Sequence, residues 1–239
     1  MIIKGYDTDE IKENFDKVRS LISEAAAKSP NGKPPILLAA TKTVPVEVIN
    51  YAAEHFGLTD IGENRVQELM EKYDSLDPRL RVHFIGNLQK NKVKYLIGRT
   101  VLIHSVDNTA LAAEISRRSL AAGIVTDVLV EVNIAEEASK SGVSPNEALA
   151  FAESLSQFEG IRVRGFMTMA PAGSSDEEYH KYFKKTYRIF IDFSAKKSDN
   201  IIEPVLSMGM SDSFIAATEE GSTIVRIGTA LFGKRRYDI

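Results

Sequence analysis

The stretch ILLAATKTVPVEVINYAAEHFGLTDIG, residues 36–62, decides the fold because it contains a strand, a helix and a second strand in succession. Ile36–Thr41 and Thr59–Gly62 are apolar runs of strand length, and the segment between them has a helical pattern that ends near Gly57. Two strands joined through a helix pair in parallel, with a right-handed crossover. This stretch therefore predicts one β–α–β unit.

The same alternation continues along the chain. Further strands are predicted at Val82–Gly86, Val101–Val106, Val128–Ile134, Val163–Met169, Glu203–Met208 and Ile224–Gly228. Eight such units in about 200 residues favour a closed (β/α)8 TIM barrel, and strands that are apolar throughout suit a sheet covered on both faces. A doubly wound open sheet is the rival α/β arrangement.

An extra N-terminal helix is predicted before the first strand, since apolar residues recur there at helical spacing (Ile11, Phe15, Val18, Ile22 and Ala25) and Asp7 can cap it. Other predicted helix starts are Asn87, Asn108, Ser174, Ser211 and the capping box Ser144-Pro145-Asn146-Glu147. No linker or low-complexity stretch interrupts the pattern, so we expect residues 1–239 to form a single domain.

The composition narrows the class of protein. The chain has no cysteine, which excludes a disulfide framework, a thiolate zinc site and a cysteine nucleophile, and fits a reducing compartment. Its four histidines lack metal-ligand spacing, so no metal is expected. The chain has a net charge of −3, and we recognise neither a signal peptide nor a long apolar run in it. These features favour a cytoplasmic protein that binds neither nucleic acid nor membrane. The basic runs Gln89–Lys94 and Lys234–Arg236 are interpreted as solvated surface.

Functional groups of such a barrel lie where its strands end at the carboxyl side. Lys42 follows the first barrel strand, and a lysine in a partly dry pocket becomes an amine nucleophile for a carbonyl. The alternative is a solvated lysine at a strand end. His83, inside the third barrel strand, is predicted to be a hydrogen-bonded core histidine.

The last two loops predict a phosphate site. Ser207, Gly209 and Ser211 follow the seventh barrel strand, and Gly228 and Thr229 follow the eighth. Glycines let backbone N–H groups approach an anion, and barrels often bind phosphate between these two loops. The alternative is that the glycines only form tight turns. Arg226, on the same strand face as Gly228, either lines the pocket or is paired in the barrel core.

Seven motifs together resemble the YggS/PROSC family of pyridoxal phosphate homeostasis proteins, which is similar to the N-terminal barrel domain of alanine racemase. They are AATK (39–42), IGEN (61–64), HFIGNLQKNK (83–92), VNIAEEASKSG (132–142), GFMTMAP (165–171), LSMGMSDSF (206–214) and VRIGTALFG (225–233). The resemblance is ordered and extends from about Leu37 to Gly233.

The resemblance implies roles for particular residues. Lys42 would form a Schiff base with pyridoxal 5′-phosphate, Asn64 would lie beside the cofactor, and Arg226 would face its pyridine nitrogen. Phosphate-binding positions would be Ser207, Gly209, Ser211, Gly228 and Thr229. Lys140 matches a further family lysine near the barrel mouth.

The favoured function is a cofactor carrier that binds, buffers or delivers pyridoxal phosphate to apo-enzymes, acting as a monomer and without catalytic residues. The alternative is an amino-acid racemase, which needs an acid or base on each face of the substrate. We expect no second domain after Gly233 to supply the other group, and no strand-end tyrosine of the barrel replaces it. A phosphosugar barrel or a Schiff-base aldolase would leave the motifs unexplained.

Overall fold

The computed structural model describes residues 1–196 and 203–233. The basic run Lys234–Arg236 lies outside these residues. The strands are β1 (Ile2–Ile3), β2 (Tyr6–Asp7), β3 (Ile36–Ala40), β4 (Asp60–Glu63), β5 (Arg81–Phe84), β6 (Leu102–Val106), β7 (Thr126–Val132), β8 (Ile161–Thr168), β9 (Val205–Ser207) and β10 (Ile224–Ile227). The α-helices are α1 (Thr8–Ala26), α2 (Val46–Phe56), α3 (Val66–Lys72), α4 (Thr109–Ala121), α5 (Ala148–Ser154), α6 (Asp176–Lys196), α7 (Phe214–Glu219) and α8 (Thr229–Phe232).

Strands β3 to β10 form a closed parallel barrel in which β10 pairs with both β3 and β9. The predicted TIM barrel is therefore confirmed, and each of the eight predicted strands is present with small differences at its ends. β1 and β2 form a separate antiparallel hairpin before α1. Among the described residues, no helix combines the length and the apolar character that crossing a membrane would require.

Because side chains along each strand point alternately into and out of the barrel, they form two separate hydrophobic cores. Side chains that point inward form a small cluster inside the barrel, made of Leu38, Ile85, Leu102, Leu129, Met167 and Ile224. Outward side chains pack under the helices in the larger core. The predicted apolar face of α1 is buried there, and Phe15 packs at ring-centroid distances of 5.6 Å from Phe56 and 5.9 Å from Phe232. The interior also contains polar side chains, which bear on the site described below.

The helix starts agree only in part with the sequence. Asp7 caps α1 by accepting from the Asp9 N–H, and Asn108 caps α4 by accepting from the Leu111 N–H at 2.8 Å. The predicted box at Ser144 is wrong as a helix start: Ser144 Oγ does contact Glu147, but residues 145–147 form a turn and α5 begins at Ala148.

Three more predicted caps are displaced. After Asn87 the chain forms a 3-10 helix, Lys90–Tyr95, in place of an α-helix, and the Asn87 side chain binds Ser141. Reciprocal hydrogen bonds join Ser175, one residue after the predicted Ser174, to Glu178 in the first turn of α6. The N-cap of α7 is Ser213, so the prediction of Ser211 as a cap is wrong.

Candidate functional site

A cavity of about 250 Å³ opens at the carboxyl ends of the barrel strands. This is the end at which barrels of this kind carry their functional groups. Six of the eight residues predicted to contact a cofactor line it: Lys42, Asn64, Ser211, Arg226, Gly228 and Thr229. Residues separated by almost 190 positions in the chain are thus brought to one place by closure of the barrel.

Lys42 leaves the end of β3 in a turn that is tightly held. Thr43 adopts a positive φ of 65°, which is uncommon for a residue other than glycine. Its backbone N–H donates to the Glu68 carboxylate, and the preceding Thr41 donates its hydroxyl to Glu63 at 2.7 Å. Carboxylates from β4 and α3 therefore fix the residues on both sides of Lys42.

A partly buried ionic cluster supports this turn. Lys72 Nζ lies 3.0 Å from Glu63 and 2.7 Å from Glu68, and it also donates to the carbonyl of Thr41 at 3.0 Å. Glu63 is fully buried, and this burial raises its pKa although the charge of Lys72 and the hydrogen bond from Thr41 oppose the rise. The cluster gives the Lys42 turn a rigid base.

Asn64 follows β4 and is packed closely against the next strand. A Cβ atom added to Gly86 would lie 2.0 Å from the Asn64 carbonyl oxygen, so only glycine fits at position 86. Gly86, the glycine of the HFIGN motif, therefore lets the backbone of Asn64 approach closely and so keeps Asn64 at the cavity.

The candidate phosphate site combines two loops. Ser211 Oγ accepts a hydrogen bond from the Ala230 N–H at 3.2 Å, which joins the loop after β9 to the first turn of α8. Gly228 and Thr229 form the start of α8, where N–H groups have no partner within the helix. The pairing brings a hydroxyl and a helix amino end to one side of the cavity, an arrangement that suits an anion.

Ser207 and Gly209 are not among the residues that line the cavity. Ser207 is buried within the barrel and its hydroxyl binds Arg226 and His104. Gly209 has a φ of 94°, and an added Cβ would lie 2.5 Å from that of Ala217. Packing and turn geometry account for this glycine without a ligand.

Arg226 lies inside the barrel and also lines the cavity, so both positions considered for it hold. It donates to Ser207 Oγ at 2.7 Å and to the Thr168 carbonyl at 2.9 Å. Burial lowers the pKa of Arg226 to about 10, against the opposing charge of Glu131, so the guanidinium stays cationic at neutral pH. Glu131 is itself buried in the barrel.

His83 is a buried, hydrogen-bonded core histidine, as predicted. Its Nε2 lies 3.0 Å from Asp60 Oδ1 and its Nδ1 lies 3.0 Å from His104 Nε2. Lys140, in contrast, is exposed on the loop after β7 and does not line the cavity.

Several cavity residues were not predicted. Tyr6 comes from the N-terminal hairpin, Ile85 follows β5, and Phe232 belongs to α8. The rule that functional groups follow the barrel strands cannot find Tyr6, because the N-terminal hairpin is not part of the alternating strands and helices of the barrel. The only sign of Tyr6 in the sequence is its position directly before the α1 cap, in a short polar segment. This signal is weak.

Known proteins resemble this chain over nearly its whole length. The family model described as alanine racemase, N-terminal domain, matches residues 6–236. A pyridoxal phosphate homeostasis protein of Aquifex aeolicus (strain VF5) is 44% identical over 227 residues, which cover 94% of this chain and 98% of that protein. One of Pseudomonas aeruginosa is 38% identical over 95% of this chain.

Solved structures show the same resemblance. PipY of Synechococcus elongatus PCC7942 has been solved with PLP bound (30% identity, TM-score 0.79) and without PLP (31%, 0.81), and each match covers 93% of this chain and 100% of PipY. An alanine racemase of Clostridium difficile 630 is 17% identical with a TM-score of 0.77, and the match covers 98% of this chain and 59% of that enzyme. At this identity the likeness to the racemase shows the fold alone.

Proposed function

Since the chain belongs to the family of pyridoxal phosphate homeostasis proteins, whose barrel is that of the alanine racemase N-terminal domain, we propose that it binds pyridoxal 5′-phosphate at the Lys42 cavity. It holds the cofactor reversibly and releases it to apo-enzymes. The proposal includes a cytoplasmic monomer, in keeping with the cysteine-free sequence and the lack of a long apolar stripe favouring an obligate dimer.

The residues of the cavity fit this cofactor. Lys42 supplies a primary amine, which can condense with the cofactor aldehyde to a Schiff base as one water leaves. Ser211 and the amino end of α8 supply hydrogen-bond donors for the phosphate. Arg226 supplies a fixed positive charge, which disfavours a proton on a neighbouring pyridine nitrogen.

The observation that carries the proposal is the presence of Lys42 and of the Ser211, Gly228 and Thr229 loops in a single cavity. Neither group alone points to this cofactor. An amine suits many carbonyl compounds, and a helix amino end suits many anions. A ligand that has an aldehyde and a phosphate on one small ring satisfies both.

We further propose that binding is the function of the chain, and that it is not an enzyme of ordinary rate. Arg226 supports this, because a cation beside the ring nitrogen weakens the ring as an electron sink. The relatives named for homeostasis support it as well. Weak racemase activity is the second candidate, and the presence of Tyr6 at the cavity is the observation in its favour.

Absorbance spectroscopy tests the assignment of Lys42. Purified protein mixed with pyridoxal phosphate should show the visible band of a protonated Schiff base, and borohydride should fix the cofactor to the peptide that contains Lys42. Lys42→Ala should remove both signals. Lys140→Ala, which changes an exposed lysine outside the cavity, should retain them. A wild-type chain that stays colourless at saturating cofactor would overturn the proposal.

A further inference from the structure

A continuous row of polar side chains crosses the interior of the barrel. Asp60, His83, His104 and Ser207 follow one another at separations of 3.0 Å, and Ser207 lies 2.7 Å from Arg226 Nη1. The contact between His104 and Ser207 joins β6 to β9, which are not neighbours in the barrel. The row therefore runs from the amino end of β4, through the middle of the barrel, to a residue of the cavity.

All members of the row are buried. The exposed fraction is 5% or less for Asp60, His83, His104, Ser207 and Arg226. Buried polar groups lose their hydration, so each needs a protein partner, and here each has one on either side. Asp60 ends the row, and its carboxylate also accepts from Arg81 at 2.8 Å and from Thr59 at 2.7 Å.

The donors and acceptors allow one direction when both histidines are neutral. Arg226 has only donors, so Ser207 accepts from it, and Ser207 can pass its own hydrogen to His104 Nδ1. His104 then donates from Nε2 to His83 Nδ1, and His83 donates from Nε2 to Asp60. The reverse direction requires protons on both nitrogens of His83, because an ionised Asp60 can only accept.

The charge states of His104 and Asp60 agree with this direction. Burial lowers the pKa of His104 well below its usual value, and the charge of Arg226, like any charge on His83, lowers it further, so His104 is neutral. Burial would raise the pKa of Asp60, but hydrogen bonds from His83, Arg81 and Thr59 outweigh it and lower the pKa to about 2. The row thus begins at a fixed cation and ends at a fixed anion.

We propose that Asp60, His83, His104 and Ser207 form a positioning relay, which locks the orientation of Arg226 and so holds its charge at the edge of the Lys42 cavity. Arg226 has a second anchor at the Thr168 carbonyl, and the relay prevents rotation about that anchor. The inference rests on the proposed function in one respect: the charge so held acts on the ring of the cofactor. The four relay residues do not line the Lys42 cavity, and their effect passes through Arg226.

The first test needs no cofactor. Long-range ¹H–¹⁵N correlation spectra of the protein at about pH 8, above the usual histidine pKa of about 6.5, report which ring nitrogen carries the hydrogen. We expect His83 and His104 both to be in the Nε2–H form, and the Arg226 guanidinium to give separate, slowly rotating Nη signals. An Nδ1–H form of His104 under these conditions would overturn the relay.

The matched pair of variants is Ser207→Ala and Ser105→Ala. Ser105 is buried beside His104, but its hydroxyl has no hydrogen-bond partner among the described residues, so its removal should leave every signal in place. Ser207→Ala should shift the His104 Nδ1 signal and merge the Arg226 Nη signals. Unchanged signals in a folded Ser207→Ala protein would contradict the proposal.

The second test uses the protein with bound pyridoxal phosphate. Freed from its anchor, Arg226 repels a ring proton less, so Ser207→Ala should raise the midpoint of pyridine-nitrogen protonation by about one pH unit, a tenfold change in proton affinity, followed by the ¹⁵N shift of cofactor labelled at the ring nitrogen. Ser105→Ala should keep the wild-type midpoint. An unmoved midpoint in Ser207→Ala overturns the effect on the cofactor. If the wild-type chain captures no cofactor, the proposed function fails, and the histidine and arginine spectra still decide the relay.

Discussion

Glu131 shows how one buried carboxyl makes the stability of the barrel depend on pH. Burial raises its pKa to about 7, and the charge of Asp107 adds to the rise while Arg226 opposes it. In the unfolded chain a glutamate titrates near pH 4.3. Between about pH 4.3 and 7 the folded state keeps a proton that the unfolded state has lost. The contribution of Glu131 to the free energy of unfolding therefore falls as pH rises, and it is constant above about pH 7.

Glu131→Gln should remove this contribution, since glutamine resembles the protonated acid and does not titrate. We expect the variant to gain stability relative to wild type, by an amount on the order of 3 kcal/mol as pH rises from about 4.3 to 7. Urea unfolding across this range measures the difference. The exposed Glu13→Gln serves as the control and should follow wild type. A constant difference between Glu131→Gln and wild type would refute the assignment.

Single residues also show what the sequence could predict of the site. Lys42 was predicted because it follows an apolar run, and Arg226 because strand alternation places it on the same face as Gly228, whereas Asn64 was predicted from the family resemblance. Ser207 follows the same alternation, yet its partners His104 and Arg226 come from other strands. Which polar residues meet across the barrel depends on register between strands, and a single sequence does not contain that information.

At the scale of elements, α3 supports the Lys42 turn through Lys72. This lysine is the cation shared by Glu63 and Glu68. Lys72→Met would leave Glu63 as a buried carboxylate without its ion-pair partner, and breaking a buried pair in this way costs about 3–5 kcal/mol. We expect that loss in urea unfolding, together with slower capture of the cofactor by Lys42.

The control for this variant is Lys90→Met, which changes an exposed lysine of the 3-10 segment. It should alter the free energy of unfolding by less than about 0.5 kcal/mol. Equal effects of the two substitutions would show that Glu63 finds another partner and that the cluster does not support the turn.

The loop after β9 and the start of α8 form the candidate phosphate site. Ser211→Ala combined with Thr229→Val removes two hydroxyls from the cavity and leaves the backbone N–H groups in place. We expect retention of pyridoxal phosphate to weaken by about 1–3 kcal/mol through the loss of charge-assisted hydrogen bonds. Equilibrium dialysis measures this change. Unaltered affinity, with the visible band preserved, would remove these hydroxyls from the phosphate site.

Helix starts illustrate why local sequence is an incomplete guide to elements. Asn108 was predicted as a cap and is one, because its partner Leu111 is three residues away. Ser211 fits the same local rule, but its hydroxyl binds Ala230, nineteen residues further on. The α7 cap moves to Ser213, since the loop after β9 extends to meet α8. Tertiary contacts decide such cases, whereas the strands follow from their apolar runs.

At the scale of the whole molecule, the barrel supplies a cofactor site, and the proposed function predicts negligible turnover. Assays with D- and L-amino acids should show rates far below the ~1–1000 per second of ordinary enzymes. Racemization at such rates would overturn the carrier proposal. If Tyr6→Phe then abolished it, the hydroxyl of the N-terminal hairpin would be the group that acts opposite Lys42.

Closure of the sheet has a consequence for abundance. A buffer works by stoichiometry, so a chain that stores a reactive aldehyde must accumulate to amounts comparable with its cargo. Concentrated β-proteins tend to aggregate through unpaired strand edges. Here every barrel strand has a neighbour on both sides, because β10 returns to β3. The architecture that brings Lys42 and the phosphate loops together thus also leaves no barrel strand with an unpaired edge.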